Sequence, residues 1–109
     1  MTSRILAVAA LFALTLPAAA ASGDAEVGKK KLATLQCATC HGENGISASP
    51  EFPNLAGQYP DYLETALKHY QNGKRKNPIM KQQVEKLSPK DLMDMAAYFS
   101  SQRGLRIKQ

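Results

Sequence analysis

The chain has 109 residues, enough for one domain, and a formal charge of +5. Apolar residues make up 44% of the chain, but only 32 of them fall in residues 22–109. That number is small for a core that no disulfide, metal or other bound group stabilises. Two cysteines exclude a scaffold of several disulfides, and they also exclude the common zinc modules built from two C-x-x-C pairs. The composition therefore indicates that a bound group stabilises the fold.

Residues 1–21 have the features of a secretory signal peptide. Arg4 and the amino terminus form a short positive region, residues 5–16 are apolar, and a proline and small residues follow. An uncleaved membrane anchor is the less favoured alternative, because a span needs about 20 apolar residues. We expect cleavage just before Ala21 or Ser22 and export to the periplasm.

The predicted mature domain, residues 22–109, carries a formal charge of +4, because Arg4 is the only charged side chain before it. A basic balance can indicate nucleic-acid binding. Export argues against that class, and no basic stretch interleaved with aromatic residues is present. We therefore expect a soluble exported protein with no nucleic-acid partner, which meets membranes only through membrane-bound partners.

Apolar periodicity predicts helices separated by long loops. A first helix is expected over residues 24–35, with Ser22 or Asp24 near its N-cap. Residues 37–60 lack periodicity and are rich in glycine, serine, proline and asparagine, which predicts an irregular loop. The later predicted segments are a helix from Pro60 to Asn72, a charged loop over residues 74–79, a short helix over residues 80–86 and a helix from Ser88 to Gly104. No alternating strand pattern occurs, so the expected fold is all-α with three to five helices.

The segment from Cys37 to His41 reads C-x-x-C-H, the attachment sequence for c-type haem. Two thiols about one helical turn apart can add to the two vinyl groups of one haem, and the adjacent histidine then reaches the iron. A thioredoxin-like dithiol lacks its βαβ context, a disulfide across two residues is strained, and a zinc site with His69 is awkward because His41 adjoins Cys40. One haem c, covalently bound through Cys37 and Cys40, is favoured.

The second axial ligand of that iron must be a methionine or the other histidine. Met93 and Met95 lie in the last predicted helix, where methionine is more often a packing residue, and His69 lies in an earlier predicted helix. Met80 directly follows Asn77-Pro78-Ile79, a turn expected to be non-helical, and lies 39 residues beyond His41. We therefore favour Met80 as the distal ligand, with His69 as the main alternative.

The sequence resembles the class I cytochromes c, especially the small bacterial periplasmic ones and the single halves of their dihaem relatives. The matching positions are Gly28, residues 37–42, residues 53–58, residues 73–75, residues 77–80 and residues 87–99. The resemblance implies thioether bonds at Cys37 and Cys40, with His41 as the proximal and Met80 as the distal iron ligand. It also implies that the Pro53 carbonyl accepts the His41 ring N–H and that Gly28 lets the first and last helices cross closely. Tyr59, Tyr62 or Arg75 could reach a haem propionate.

The expected occupancy of both axial positions of the haem iron predicts the function. If protein fills both axial positions, no substrate binds the iron, and the haem changes only its electron count; a methionine ligand also raises its reduction potential. We expect a monomeric one-electron carrier in the periplasm, not an enzyme, which docks to acidic redox partners through Lys74, Arg75, Lys76 and Lys81. The alternatives are a haem-bearing subunit of a dehydrogenase or reductase complex, and a gas-binding or peroxide-reacting haem protein with an open iron position.

Overall fold

A computed structural model describes residues 2–13 and 23–104. Those residues contain no strand, which confirms the expected all-α class. The helices are α1 (Ala25–Leu32), α2 (Cys37–His41), α3 (Pro60–Asn72), α4 (Pro78–Val84) and α5 (Pro89–Ser101).

The amino-terminal segment lies outside the helical part. Residues 2–13 contain no helix, and their apolar side chains are exposed, as at Leu11 (94%) and Phe12 (91%). No helix in the described part of the chain is long and apolar enough to cross a membrane. The expected cleavage before Ala21 or Ser22 lies outside the described residues and stays a prediction, as does the end of the domain at residue 109.

The two long helices have sequence-encoded ends. In α5, the Ser88 hydroxyl accepts the Asp91 N–H at 3.1 Å while the Asp91 carboxylate accepts the Ser88 N–H at 3.0 Å, so two otherwise unpaired donors are satisfied. The carboxyl end of α3 is capped by Gly73, which adopts a φ of 80°, a left-handed conformation that glycine takes without strain. The predicted start of α5 and the predicted stop of α3 are confirmed.

Two predicted helix ends are wrong by about one turn. Helix α1 ends at Leu32 rather than residue 35, because the chain tightens there: the N–H groups of Thr34 and Leu35 bond to carbonyls three residues earlier. Helix α5 ends at Ser101, before the predicted stop at Gly104, because Gln102 turns to extended backbone. Gly104 instead passes so close to Ala56 that a Cβ atom would overlap with the Ala56 side chain.

Helices α1 and α5 cross at close range. A Cβ atom on Gly28 would overlap with the Asp94 carbonyl oxygen, so only glycine permits this separation of the two backbones. Leu32 and Met95 belong to the buried cluster beside the crossing, and Tyr98 packs against that cluster. The expected close crossing at Gly28 is therefore confirmed, and it fixes α5 as one wall of the molecule's interior.

A buried carboxylate fastens the start of α1 to α5. Asp94 is 3% exposed and accepts the Asp24 backbone N–H at 2.8 Å and the Lys90 ammonium. These donors hold the pKa of Asp94 below its usual range, the Asp24 N–H contributing most, so Asp94 is ionised at neutral pH. The Lys90 side chain is 72% exposed, so water screens its ion pair, and the backbone bond is the stronger fastening.

Candidate haem site

A cavity of about 430 Å³ lies among α2, the loop after it, α3, α4 and α5. This volume is in the range of pockets that hold small molecules and cofactors. Apolar side chains form most of its wall; they include Phe52, Leu55, Leu63, Leu67, Val84, Met95 and Phe99. Sequence reasoning had not assigned Phe52, Leu55, Leu67 or Val84 to a site, and only their apolar character hinted at it.

The C-x-x-C-H motif forms a short helix at the cavity, where the sequence had predicted irregular loop. In α2, Cys37 and Cys40 are three residues apart, which places both partly buried thiols on one helical face, and both line the cavity. Burial raises the pKa of the Cys37 thiol. A nucleophilic dithiol needs the opposite shift, so this environment disfavours the thioredoxin-like alternative.

His41 lies at the end of α2, 6% exposed, and also lines the cavity. Its Nδ1 is 2.8 Å from the Pro53 carbonyl oxygen. Because a carbonyl only accepts hydrogen bonds, Nδ1 carries the proton, and Nε2 keeps the lone pair that a metal requires. The Phe52 ring contacts the imidazole edge-on, with 6.4 Å between ring centroids, so the ring orientation is fixed from two sides.

The loop that presents Pro53 is held by backbone hydrogen bonds. The chain turns away from α2 at Gly42, with a φ of 81°, and the Gly45 carbonyl accepts the N–H groups of Leu55 and Ala56 at 2.7 and 3.1 Å. The Asn54 side chain accepts the Ser47 N–H at 2.7 Å. These bonds bring the two arms of the loop together and place the Pro53 carbonyl beside His41.

Met80 lines the cavity and is partly buried, but its helix starts two residues before the predicted start at residue 80, so the expected turn ahead of Met80 is helical. Helix α4 begins two residues before Met80, at Pro78, a residue whose fixed φ suits the first helical position. The Asn77 side chain caps this end by accepting the N–H groups of Ile79 and Met80, both at 3.1 Å. The Asn-Pro pair that suggested a rigid turn is therefore a helix start.

The other candidate ligands have different positions. His69 and Met93 do not line the cavity, whereas Met95 does, but Met95 is 2% exposed and packs in the core cluster. Of the three candidates for a propionate contact, Tyr62 and Arg75 line the cavity and Tyr59 does not. The structure therefore brings Met80 to the cavity that holds the C-x-x-C-H motif, and leaves His69 away from it.

The residues present fit a covalently bound haem. Both thiols are free, His41 has Nε2 available, a thioether side chain reaches the same cavity, and the wall is largely apolar. These donors are the set that holds haem iron in cytochromes of the His/Met type. The donor chemistry and the all-α shell together define a c-type cytochrome.

Comparison with known proteins gives the same class. The family model for cytochrome c matches residues 25–103, so the chain belongs to the cytochrome c family, and its fold is that of class I. Electron transfer is the function of this family.

Three relatives illustrate the range of similarity. Cytochrome c-554(548) of Halomonas halodenitrificans is 43% identical over 74% of this chain and 99% of its own length. The cytochrome subunit of sulfide dehydrogenase of Chlorobaculum tepidum is 34% identical over 83% of this chain and 82% of its own length. The crystal structure of reduced recombinant cytochrome c4 from Pseudomonas stutzeri superposes with a TM-score of 0.70 at 43% identity. That match covers 77% of this chain and 48% of the other, so the chain spans about half the length of that protein.

Proposed function

We propose that the protein is an exported one-electron carrier whose single haem c is attached through Cys37 and Cys40 and ligated by His41 and Met80. The observation that carries this proposal is the convergence of α2 and α4 on one cavity, with the His41 ring already bonded to the Pro53 carbonyl. When bound, haem supplies an iron centre that changes its oxidation state by one electron.

Each residue has a distinct part in that proposal. Cys37 and Cys40 tether the haem to α2, so that it stays bound in both redox states. The Pro53 carbonyl fixes the His41 tautomer and raises the basicity of Nε2. The Met80 thioether is a soft donor that favours the ferrous state, and the apolar wall disfavours the additional positive charge of the ferric state. Both effects raise the reduction potential.

The first test is redox titration of the purified holoprotein. We expect a reversible one-electron curve and no binding of carbon monoxide by the ferrous protein, because both axial positions are occupied by side chains. Carbon monoxide binding by the unmodified protein would instead favour the gas-binding or peroxide-reacting alternative.

The other alternative, a subunit of a dehydrogenase complex, is supported by the relative named as a cytochrome subunit of sulfide dehydrogenase. Gel filtration of a native extract distinguishes a subunit of such a complex from a free monomeric carrier.

We also propose a docking surface for acidic partners, formed by Lys74, Arg75, Lys76 and Lys81, which we call the basic rim. All four residues are exposed, and they flank Met80 in the sequence. Arg75 also lines the cavity, with its guanidinium 5.0 Å from the centre of the Tyr70 ring. Within residues 2–13 and 23–104, the ion pairs are Lys31–Asp91, Lys68–Glu64 and Lys90–Asp94, so the charge of the basic rim is not neutralised by them.

The basic rim should make oxidation by an anionic complex sensitive to salt. With ferricyanide as the oxidant, we expect the rate constant to fall as ionic strength rises, because screening is strong beyond about 8–10 Å at physiological salt. The variant Lys74→Glu with Lys76→Glu should react more slowly and with a flatter salt dependence in stopped-flow measurements.

The matched control is Lys29→Glu with Lys30→Glu, the same change of charge at exposed positions of α1, a helix that does not line the cavity. This control should keep most of the rate and of its salt dependence. A wild-type rate that stays constant or rises with salt contradicts the docking surface and leaves the haem proposal unaffected.

A further inference from the structure

Helix α4, which carries Met80, depends on contacts with the rest of the chain. It has seven residues, and isolated helices shorter than about 12 residues are marginal in water. Its first turn is capped by Asn77, as described above. Its other end has no glycine cap: Glu85 keeps a right-handed helical conformation, and the last carbonyl of the helix, that of Val84, accepts the Leu87 N–H at 3.1 Å.

A side-chain amide from α3 gives that carbonyl a second donor and reaches the connection beyond it. The Nε2 atom of Gln71 lies 2.7 Å from the Val84 carbonyl oxygen and 2.9 Å from the Leu87 carbonyl oxygen. Since both neighbours only accept hydrogen bonds, the amide must present its NH₂ group to them, and each of its two N–H bonds has an acceptor. Gln71 therefore fastens the last turn of α3 to the end of α4 and to the connection that leads into α5.

Val84, whose carbonyl accepts the Gln71 amide, lies on the same face of α4 as Met80. Val84 is four residues after Met80, one helical turn further along α4, and both side chains line the cavity. Val84 is 2% exposed, so the end of α4 is anchored by its side chain as well as by its carbonyl. Gln71 itself does not line the cavity. Any influence on the site must pass through the position of α4.

We propose that Gln71 is a positioning residue for the distal ligand: its amide fixes α4 against α3 and so keeps Met80 in place on the iron. This inference rests on the proposed function, since it requires Met80 to be the ligand. With haem bound and Met80 as its ligand, an external ligand would have to displace the Met80 thioether, and local opening of α4 would carry that side chain away from the cavity. The contacts of Gln71 lower the population of the open form.

The experiment measures cyanide binding to the ferric holoprotein by stopped-flow absorption. The variants are Gln71→Leu, which removes both donors, and Gln71→Glu, which keeps the size but presents a carboxylate to two carbonyl oxygens. We expect either variant to bind cyanide roughly tenfold faster, the fold-change that corresponds to about 1.4 kcal/mol, within the range for the loss of two hydrogen bonds. The controls Gln82→Leu and Gln82→Glu, at an exposed position of α4 that does not line the cavity, should leave the rate unchanged.

A general loss of stability must be separated from a local effect. Asp94→Asn weakens the contact between α1 and α5, away from α4, and serves as the comparison. If Asp94→Asn speeds cyanide binding as much as Gln71→Leu at an equal fall in melting temperature, the positioning role is wrong. An unchanged rate in both Gln71 variants also overturns it.

Hydrogen exchange in the unmodified protein provides a second measurement that does not depend on the variants folding. The amides of α4 should open at the limiting rate of cyanide binding at saturation, and slower opening of α4 overturns the proposal. Failure of the ligand assignment itself has a different signature: Met80→Ala would then leave the ferric spectrum unchanged, whereas failure of the Gln71 proposal leaves the effect of Met80→Ala intact.

Discussion

Replacing both Cys37 and Cys40 by alanine is expected to leave little folded protein. The interior of the domain contains a largely apolar cavity of about 430 Å³, and core residues such as Leu63, Met95 and Phe99 form part of its wall. An apolar cavity left empty destabilises a protein, because its wall loses packing contacts, and the cost rises with the cavity volume. The total stability of a domain is about 5–15 kcal/mol. Loss of the covalent group should therefore remove most of the free energy of unfolding.

The measurement is far-ultraviolet circular dichroism with thermal melting, on protein made in cells that attach c-type haem. The matched control, Lys29→Ala with Lys30→Ala at exposed positions of α1, should retain haem and melt as the parent does. A haem-free double cysteine variant that is compact and melts cooperatively would show that the polypeptide closes the cavity without the group. The idea that the bound group stabilises the fold would then be wrong.

The longer helices could be predicted because their signals are local. The repeat of apolar residues along α3 and α5, the Ser88 cap and the Asn72-Gly73 stop all act within a few residues of chain. Helix α2 was missed because five residues contain too little periodicity to be recognised, and its sequence gives no side-chain cap. The start of α4 was misplaced although Asn77-Pro78 is a valid cap with proline at the first position; the same pair also suits a turn, and sequence alone does not separate the two.

The residues of the candidate site also fall into two groups, those that a local sequence pattern indicates and those that it does not. The residues with reactive chemistry could be found from the C-x-x-C-H spacing and from the short list of methionines. The bond between His41 and Pro53 came from family resemblance, and its geometry depends on a loop held together by Gly45 and Asn54. The two bonds of Gln71 join residues 13 and 16 positions apart in the chain, between two helices, and no local pattern reports such a contact.

Met80→Ala is expected to open one axial position of the iron. The ferric protein should lose the weak far-red absorption band that methionine ligation gives in this family, and the ferrous protein should acquire carbon monoxide binding. The reduction potential should fall by on the order of 0.1 V, a fraction of the roughly 0.8 V range that axial ligands set. Absorption spectra with and without dithionite and carbon monoxide, together with redox titration, measure all three changes.

Two variants serve as controls. Met93→Ala and His69→Ala alter residues that do not line the cavity, so both should keep the wild-type spectrum and potential. If His69→Ala instead abolishes the low-spin spectrum, the distal ligand is His69 and the assignment of Met80 is wrong.

The position of α4 makes Met80→Ala a clean test. The cap by the Asn77 side chain and the two bonds from Gln71 involve backbone atoms, and none of them depends on the methionine side chain. Val84 remains buried one turn away. The helix should therefore keep its place when the thioether is removed, and because alanine favours helical conformation, the substitution does not disrupt the backbone of α4. The change is then confined to the side-chain atoms beyond Cβ, of which the sulfur is the one that can bind iron, so a new ligand at the iron reports directly on the loss of that sulfur.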